Sequence, residues 1–380
     1  CSGDILMKVL VTGAEGFIGK NLVIRLGELS SFDVIKSVRS DSEDILRTQL
    51  ANADAVIHLA GENRPEDPND FNVGNAQLTD RICELLTEME VTIPILFSSS
   101  TQASQNNDYG MSKRLAETSI ENHSQLSGCS AAIYRLPGVF GKWCKPNYNS
   151  VVATFCYNTA YGLAIRVDDP DYLIKLVYVD DVIDSFIEWL HGPFPSGLAR
   201  NTIDPEYEIH LGELAKLIEE FPSSRKSLVS ERVGTGFLRA LYSTYVSYLP
   251  SNKFEYTIPC HGDERGVFVE MLKTKDSGQF SFFTAHPGIT RGGHYHHTKT
   301  EKFLVIKGNA RFRFRHILTD EVFSVDTSGK TPTIVETIPG WSHDITNNGD
   351  DELIVMLWAN EIFDHDKPDT IASIIENEKA

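Results

Sequence analysis

At 380 residues the chain is long enough for two domains that each bury a core of their own. Its 41% hydrophobic and 23% charged composition is that of a soluble globular protein, and no apolar run reaches the roughly 18 residues a membrane span needs. A formal net charge of −18 disfavours nucleic acid, so an anionic ligand must be met by local cations or backbone amides.

Cysteines at 1, 83, 129, 144, 156 and 260 form no Cys-x-x-Cys pair, which predicts a reducing, cytoplasmic setting. Cys1 to Leu6 precede Met7, where a strand-like run opens at once; they are expected to be an expression scar rather than a secretion signal. From Met7 to about Pro137, short apolar runs at 8–12, 34–38, 55–59, 95–98 and 131–135 alternate with stretches of helical period. That alternation predicts a parallel sheet flanked by helices.

The first run passes directly into Thr12-Gly13-Ala14-Glu15-Gly16-Phe17-Ile18-Gly19, a Gly-x-x-Gly-x-x-Gly turn opening a helix. Glycines there let backbone amides approach a pyrophosphate at the positive end of the helix. An NAD site calls for an acidic residue at the end of the second strand, but that end reads Lys36-Ser37-Val38-Arg39, with Asp33 at the strand's start. A guanidinium at Arg39 suits a 2′-phosphate, so NADPH is expected; as a solvated surface charge, Arg39 would leave either coenzyme in use.

Tyr109-Gly-Met-Ser-Lys113 follows the run Ser98-Ser99-Ser100-Thr101. Positions four apart share a helix face, and an ammonium beside a phenol lowers its pKa, preparing it for proton exchange with a carbonyl. Ser100, or Thr101 as runner-up, can hold the substrate oxygen. Alone, Tyr-x-x-x-Lys is more often a surface pair; after the glycine turn it is not.

These motifs resemble the extended short-chain dehydrogenase/reductases over roughly residues 7–200. So do His58-Leu59-Ala60-Gly61 after the expected fourth strand, Arg135-Leu-Pro-Gly-Val-Phe-Gly141 and Val177-Tyr-Val-Asp-Asp-Val182. The resemblance implies an α/β Rossmann-type doubly wound sheet with Ser100, Tyr109 and Lys113 catalytic. It also implies a coenzyme site from Gly13, Gly16, Phe17, Ile18, Gly19, Arg39, Leu59, Ala60, Tyr109 and Lys113. Two departures stand out: a short stretch between the second strand and Asp54, and Gly138 where many relatives carry asparagine. Sugar-nucleotide dehydratases of this family place acidic residues after the catalytic hydroxyl. Gln102-Ala103 stand here instead, which implies ketone reduction. Lys142, Asn147, Asn149 and Ser150 lie in a segment suited to a polar sugar diphosphate, although an ordinary surface loop can read the same way.

Helical patterns at about 212–220 and 237–248 end at Leu249-Pro250, a predicted boundary between a domain over 7–250 and one over 253–370. Within the first, residues 7–140 are expected to bind coenzyme and 141–250 substrate. Short strands rich in Phe, Val, Thr and Ile follow Lys253, which predicts an all-β barrel. His294 and His296, two apart on a strand, share a face. With Glu301 and His343 they make a donor set suited to one divalent metal among zinc, iron, manganese and nickel, zinc being expected. His297 is expected to turn outward.

The pattern Gly288, His294, His296, Glu301, Gly308, then Gly340-Trp-Ser-His343 and Asn347, resembles both motifs of the cupins over about residues 254–369; Pro339 adjoins Gly340 instead of standing one residue further back. Asp263-Glu-Arg265-Gly-Val-Phe-Val-Glu270 and Gly288-Ile-Thr-Arg291-Gly-Gly-His294-Tyr295 also resemble cupin 3,5-epimerases of 4-keto-6-deoxy sugar nucleotides. That resemblance implies substrate binding by Arg265, Glu270 and Arg291, and makes His294 a base. The metal reading makes it a ligand; the two roles are incompatible.

The fusion resembles the capsular polysaccharide biosynthesis reductases of the UDP-N-acetyl-L-fucosamine route. Implied is C3 epimerisation of UDP-2-acetamido-2,6-dideoxy-hexos-4-ulose by the cupin, then C4 reduction with NADPH. A cytoplasmic homodimer or homotetramer is expected, with a UDP-linked keto-sugar as ligand. The rival readings are a redox-neutral NAD-dependent epimerase, a plain reductase carrying a non-catalytic sugar-binding or dimerising cupin, and a structural protein with relic motifs.

Overall fold

A computed structural model describes residues 6–67, 69–259, 261–263, 266–268, 272–274, 278–361 and 366–376, excluding the side chains at 69, 261–263, 266–268, 273, 279 and 281. Its internal contacts divide the chain into two compact units: 1–140 with 147–150 and 174–208, and 141–146 with 151–173 and 209–380. The boundary expected at 250–253 therefore falls inside the second unit, because the helices after 209 pack with the barrel.

In the first unit, β1 (Met7–Thr12), β2 (Phe32–Ser37), β3 (Ala55–His58), β4 (Ile95–Ser100) and β5 (Ser130–Leu136) pair in parallel with Gly197–Asn201. The order is β2-β1-β3-β4-β5, with Gly197–Asn201 outermost. This is the predicted doubly wound α/β sheet. Strand order reverses between β1 and β3, where such sheets bind ligands at their carboxyl ends. Leu10, Val56, Ile95, Phe97 and Ile133 pack on one face against Ile82, Leu86, Ala116 and Ile120. Each large aliphatic side chain there contributes roughly 1.5–3 kcal/mol on burial. The turn His58 to Gly61 follows the third strand, not the fourth, because Phe32–Ser37 is followed by a helix and no intervening strand.

The second unit carries the expected antiparallel barrel. One five-stranded sheet runs Glu255–Thr257, Thr333–Glu336, Glu301–Lys307, Leu353–Ala359 and Gln279–Ala285. The other runs Val322–Ser328, Asn309–His316, Trp341–Asn347, Thr290–Tyr295 and Ile371–Ala372. Helices Leu211–Glu220 and Gly236–Ser247 belong to this unit. Gly236–Ser247, through Tyr242, and the short turn carrying Arg225 are tied to the barrel by the buried Glu336 carboxylate, which accepts from Tyr242 (3.2 Å), Arg225 (2.5 Å) and the barrel's own Lys302 Nζ (2.5 Å). A buried carboxylate persists only when its lone pairs are met this way. Among the described residues, no helix is long and apolar enough to cross a membrane.

Candidate coenzyme site and candidate metal centre

At the sheet's switch point the chain leaves β1 through Gly13, whose φ is +67°, and enters helix Phe17–Gly27. A Cβ at Gly13 would stand 2.8 Å from Ala60, and one at Gly19 2.1 Å from the Gly13 carbonyl. Only glycine fits either place. No side chain caps the helix start at Gly16, so the first-turn amides of Phe17, Ile18 and Gly19 remain available to an anion. Thr12 Oγ1 accepts from Leu59 N and Ala60 N at 3.2 Å each and meets His58 Nδ1 at 2.6 Å. His58 is fully buried, its other nitrogen 2.9 Å from Thr79 Oγ1; burial, reinforced by the Lys113 charge, pushes its pKa down to about 3. This neutral linkage fixes the wall at Leu59 and Ala60. The cradle fits a dinucleotide. Arg39, at the end of β2, donates to Glu62 Oε2 at 3.1 Å and is otherwise in solvent.

Helix Asp108–Ser127 carries Tyr109 and Lys113 on one face beside the end of β4. Lys113 is 5% exposed; its Nζ donates to the Ser98 carbonyl at 3.1 Å and lies 6.0 Å from the centre of the Tyr109 ring. Burial pushes the Lys113 pKa down to about 8, with Glu117 opposing. The Tyr109 phenol is pushed up by burial and pulled back by Ser100, which corrects the expected net lowering by Lys113: desolvation of the ring outweighs its partner. Ser100 is buried at the strand end and interacts with Tyr109, whereas Thr101 is exposed at the start of a 3₁₀ turn.

Beneath this set lies a pair that spacing did not reveal. Glu117 accepts from Arg135 Nε at 2.8 Å and Nη2 at 2.6 Å, and from Ser99 Oγ at 2.5 Å, joining the helix to β4 and β5. The only hint was a glutamate four residues after Lys113. Asn75 was also missed: buried, it exchanges two hydrogen bonds with the backbone of Glu62 and donates to Ser112 at 3.0 Å.

The expected substrate loop is divided. Lys142 belongs to the second unit and is 1% exposed, its Nζ 5.2 Å from the Trp143 ring centre. Asn147, Asn149 and Ser150 belong to the first, where Arg64 donates to the Tyr148 carbonyl. Arg265 and Glu270 lie outside the described residues.

In the barrel, His294, His296, Glu301 and His343 present ligand atoms that all lie within 4.8 Å of one another. Glu301 Oε2 is 3.1 Å from His296 Nε2 and 3.4 Å from His343 Nε2. His294 stands 5.0 Å from His296 and 4.7 Å from His343, ring centre to ring centre. Burial lowers His343, and burial with the adjacent imidazoles takes His294 down to about 3. Burial alone would raise Glu301, but His296 and His343 hold it well below the usual carboxylate range. An imidazole lone pair on His294 and on His343, kept available by burial, beside an ionised carboxylate suits a divalent cation. His343 Nε2, buried and without a hydrogen bond of good geometry, is a donor atom aimed at that point. The set fits a metal.

Strand pairing explains the convergence. Arg291 lies opposite Ile345 and His294 opposite His343, a separation of three residues against two. Gly292 (φ +98°) and Gly293 (φ +75°) absorb the extra residue as a bulge. Arg291 and His294 therefore share a face that strict alternation denies them. Arg291 stacks 5.1 Å from the Phe283 ring centre and donates to the Thr284 carbonyl at 3.1 Å. His297 stands outside the four-residue cluster, but it is not turned to solvent: it is 7% exposed and packs on Tyr295. The strand ends at Tyr295, so alternation no longer sets the side of His297, whose N–H is held by the Asp369 carboxylate at 2.9 Å.

Residues 9–193 match the NAD dependent epimerase/dehydratase family, and residues 261–371 match the polysaccharide biosynthesis C-terminal domain. A UDP-2-acetamido-2,6-beta-L-arabino-hexul-4-ose reductase of Pseudomonas aeruginosa is 53% identical over 366 residues, covering 96% of this chain and 98% of that protein. The crystal structure of the capsular polysaccharide assembling protein CapF from Staphylococcus aureus superposes with a TM-score of 0.66 at 40% identity, covering 97% of this chain and 100% of that one. UDP-glucuronic acid 4-epimerase from Bacillus cereus, 17% identical with a TM-score of 0.52 over 57% of this chain and 84% of its own, shares the fold alone. The chain belongs, over nearly its whole length, to the family of UDP-2-acetamido-2,6-beta-L-arabino-hexul-4-ose reductases.

Proposed function

We propose that this protein reduces the C4 ketone of a UDP-linked 2-acetamido-2,6-dideoxy-hexos-4-ulose with NADPH after its barrel has epimerised C3, yielding UDP-N-acetyl-L-talosamine for a polysaccharide precursor. One observation carries the reading: a chain matching a 4-ketose reductase along 98% of that protein's length holds Tyr109 beside buried Lys113 and Ser100 in one unit and four clustered residues able to hold a metal ion in the other.

The cradle of Gly13, Gly16 and Gly19 would hold the pyrophosphate of a reduced nicotinamide dinucleotide, which would supply the hydride, and Arg39 is the cation suited to its 2′-phosphate. Tyr109, the proper height for an acid because burial keeps its proton on, gives that proton to the C4 oxygen as the carbon is reduced. Ser100 orients the same oxygen, and Lys113 holds the ribose hydroxyls and refills the proton on tyrosine. In the barrel, His294, His296, Glu301 and His343 would hold a divalent cation, zinc by donor type, which supplies Lewis acidity to a substrate oxygen beside C3. Arg291, Arg265, Glu270, Lys142, Asn147, Asn149 and Ser150 are the proposed substrate contacts; the bulge that puts Arg291 on the same side of its strand as His294 supports its inclusion.

The test mixes enzyme, NADPH and UDP-linked 4-keto-6-deoxy-N-acetylhexosamine in deuterated water and reads the product by NMR. The expected result is one NADPH oxidised per sugar, with deuterium at an inverted C3. No net NADPH consumption would establish a redox-neutral epimerase instead, and reduction without deuterium at C3 would leave the barrel as a binding module.

A further inference from the structure

The metal cage is closed along one side by a segment far from it in sequence. Ile371 and Ala372 pair with Tyr295 and His294, and Ser373 N donates to the Gly293 carbonyl at 2.7 Å. Two residues before Ile371, Asp369 makes two kinds of contact at once. Its main-chain carbonyl is 2.6 Å from His296 Nδ1. Its carboxylate accepts from the backbone N–H groups of His297 (2.9 Å), Thr298 (2.8 Å) and Lys299 (2.7 Å) and from Thr298 Oγ1 (3.0 Å).

These contacts act on one ligand from both ends. A carbonyl at Nδ1 requires the proton to sit there, which leaves the Nε2 lone pair facing Glu301 and the metal position. The carboxylate fixes the turn that follows His296 and so the backbone on which that ring rotates. Asp369 itself has φ +38°, a conformation that aspartate and asparagine accept more readily than most residues.

We infer that Asp369 is a positioning residue of the metal centre, setting the tautomer and direction of His296 through its carbonyl and the anchoring of the 297–299 turn through its carboxylate. The inference rests on the four-ligand metal reading. It adds to that reading a residue 68 positions beyond Glu301 in the chain, on a strap that no ligand spacing would have picked out.

The test uses the full chain loaded with zinc or cobalt(II) and measures metal transfer to a chromogenic chelator, alongside the visible spectrum of the cobalt form and the melting of the metal-free protein. Wild type and His343→Ala decide the reading alone: one equivalent bound by the former and none by the latter is expected. Failure of wild type to take up metal would overturn the reading and the inference with it. Asp369→Asn keeps the backbone conformation accessible but puts an amide where three N–H donors converge. It should still bind one equivalent, release it about 10-fold faster and shift the cobalt bands. Release at the wild-type rate with an unchanged cobalt spectrum overturns the inference, whatever happens to melting. If Asp369→Asn does not fold, Thr298→Val removes a single bond to the same carboxylate. Faster release there supports the inference, and an unchanged rate overturns it.

Discussion

The candidate coenzyme site and the candidate metal centre solve the same problem, convergence of a few polar groups in a largely buried place, by opposite means. In the first unit the groups lie at the ends of neighbouring parallel strands and on one helix turn, so short spacings in the chain are also short distances in space. In the second, three of the four candidate ligands come from three antiparallel strands and His296 from the turn after one of them, and their meeting depends on register, on a glycine bulge and on a strap from residues 369–373. The difference teaches that a helical site tolerates local change around it, whereas a barrel site is sensitive to any residue that alters pairing.

The largest effect that would sharpen the comparison is a crossed pair of substitutions. Tyr109→Phe should lower ketone reduction by about 10³-fold while leaving deuterium exchange at C3 intact. His343→Ala should do the reverse, lowering exchange by about 10²-fold while an already inverted ketone is still reduced. Loss of both activities in either variant would break the division of labour.

A smaller effect is expected at the coenzyme's far end. Arg39→Ala removes the only guanidinium at the end of β2 and should reduce the preference for NADPH over NADH about 10-fold, read by tryptophan fluorescence quenching. An unchanged ratio would make Arg39 simply the partner of Glu62.

The smallest concerns pH. Lys113 sits at about 8 because burial disfavours its charge and Glu117 partly restores it. As pH rises through that value the ammonium is lost, so kcat/KM for reduction should fall on the alkaline side with an apparent pKa near 8. Glu117→Gln withdraws the restoring charge and should move that limb about one pH unit toward acid. A limb that stays in place would assign it to another group.

Legibility followed the range of the contacts. Gly13, Gly16 and Gly19 announced a cradle because a dinucleotide needs backbone at close approach, and Tyr109 with Lys113 announced a helix face because four residues make one turn. His294 and His296 were expected on one strand, but the strand ends at Tyr295 and His296 reaches the cluster from the turn that follows. The Glu117 to Arg135 fork, the Asn75 bridge and the Asp369 nest were not, because each joins residues whose proximity is created by packing. The outward turn expected of His297 failed for a related reason: alternation holds only while a strand continues, and after Tyr295 it does not.

By itself, then, the sequence determined the two kinds of fold, the glycine turn that opens the first helix, the helix face shared by Tyr109 and Lys113, and the four residues that cluster in the barrel, all of which follow from local periodicity and residue chemistry. Tertiary structure alone decided where the compact units part, that Ser100 rather than Thr101 meets Tyr109, that burial raises the tyrosine instead of its lysine lowering it, and that Arg291 shares a wall with His294. These are matters of desolvation and strand register, and both are set by neighbours that arrive only when distant parts of the chain have paired.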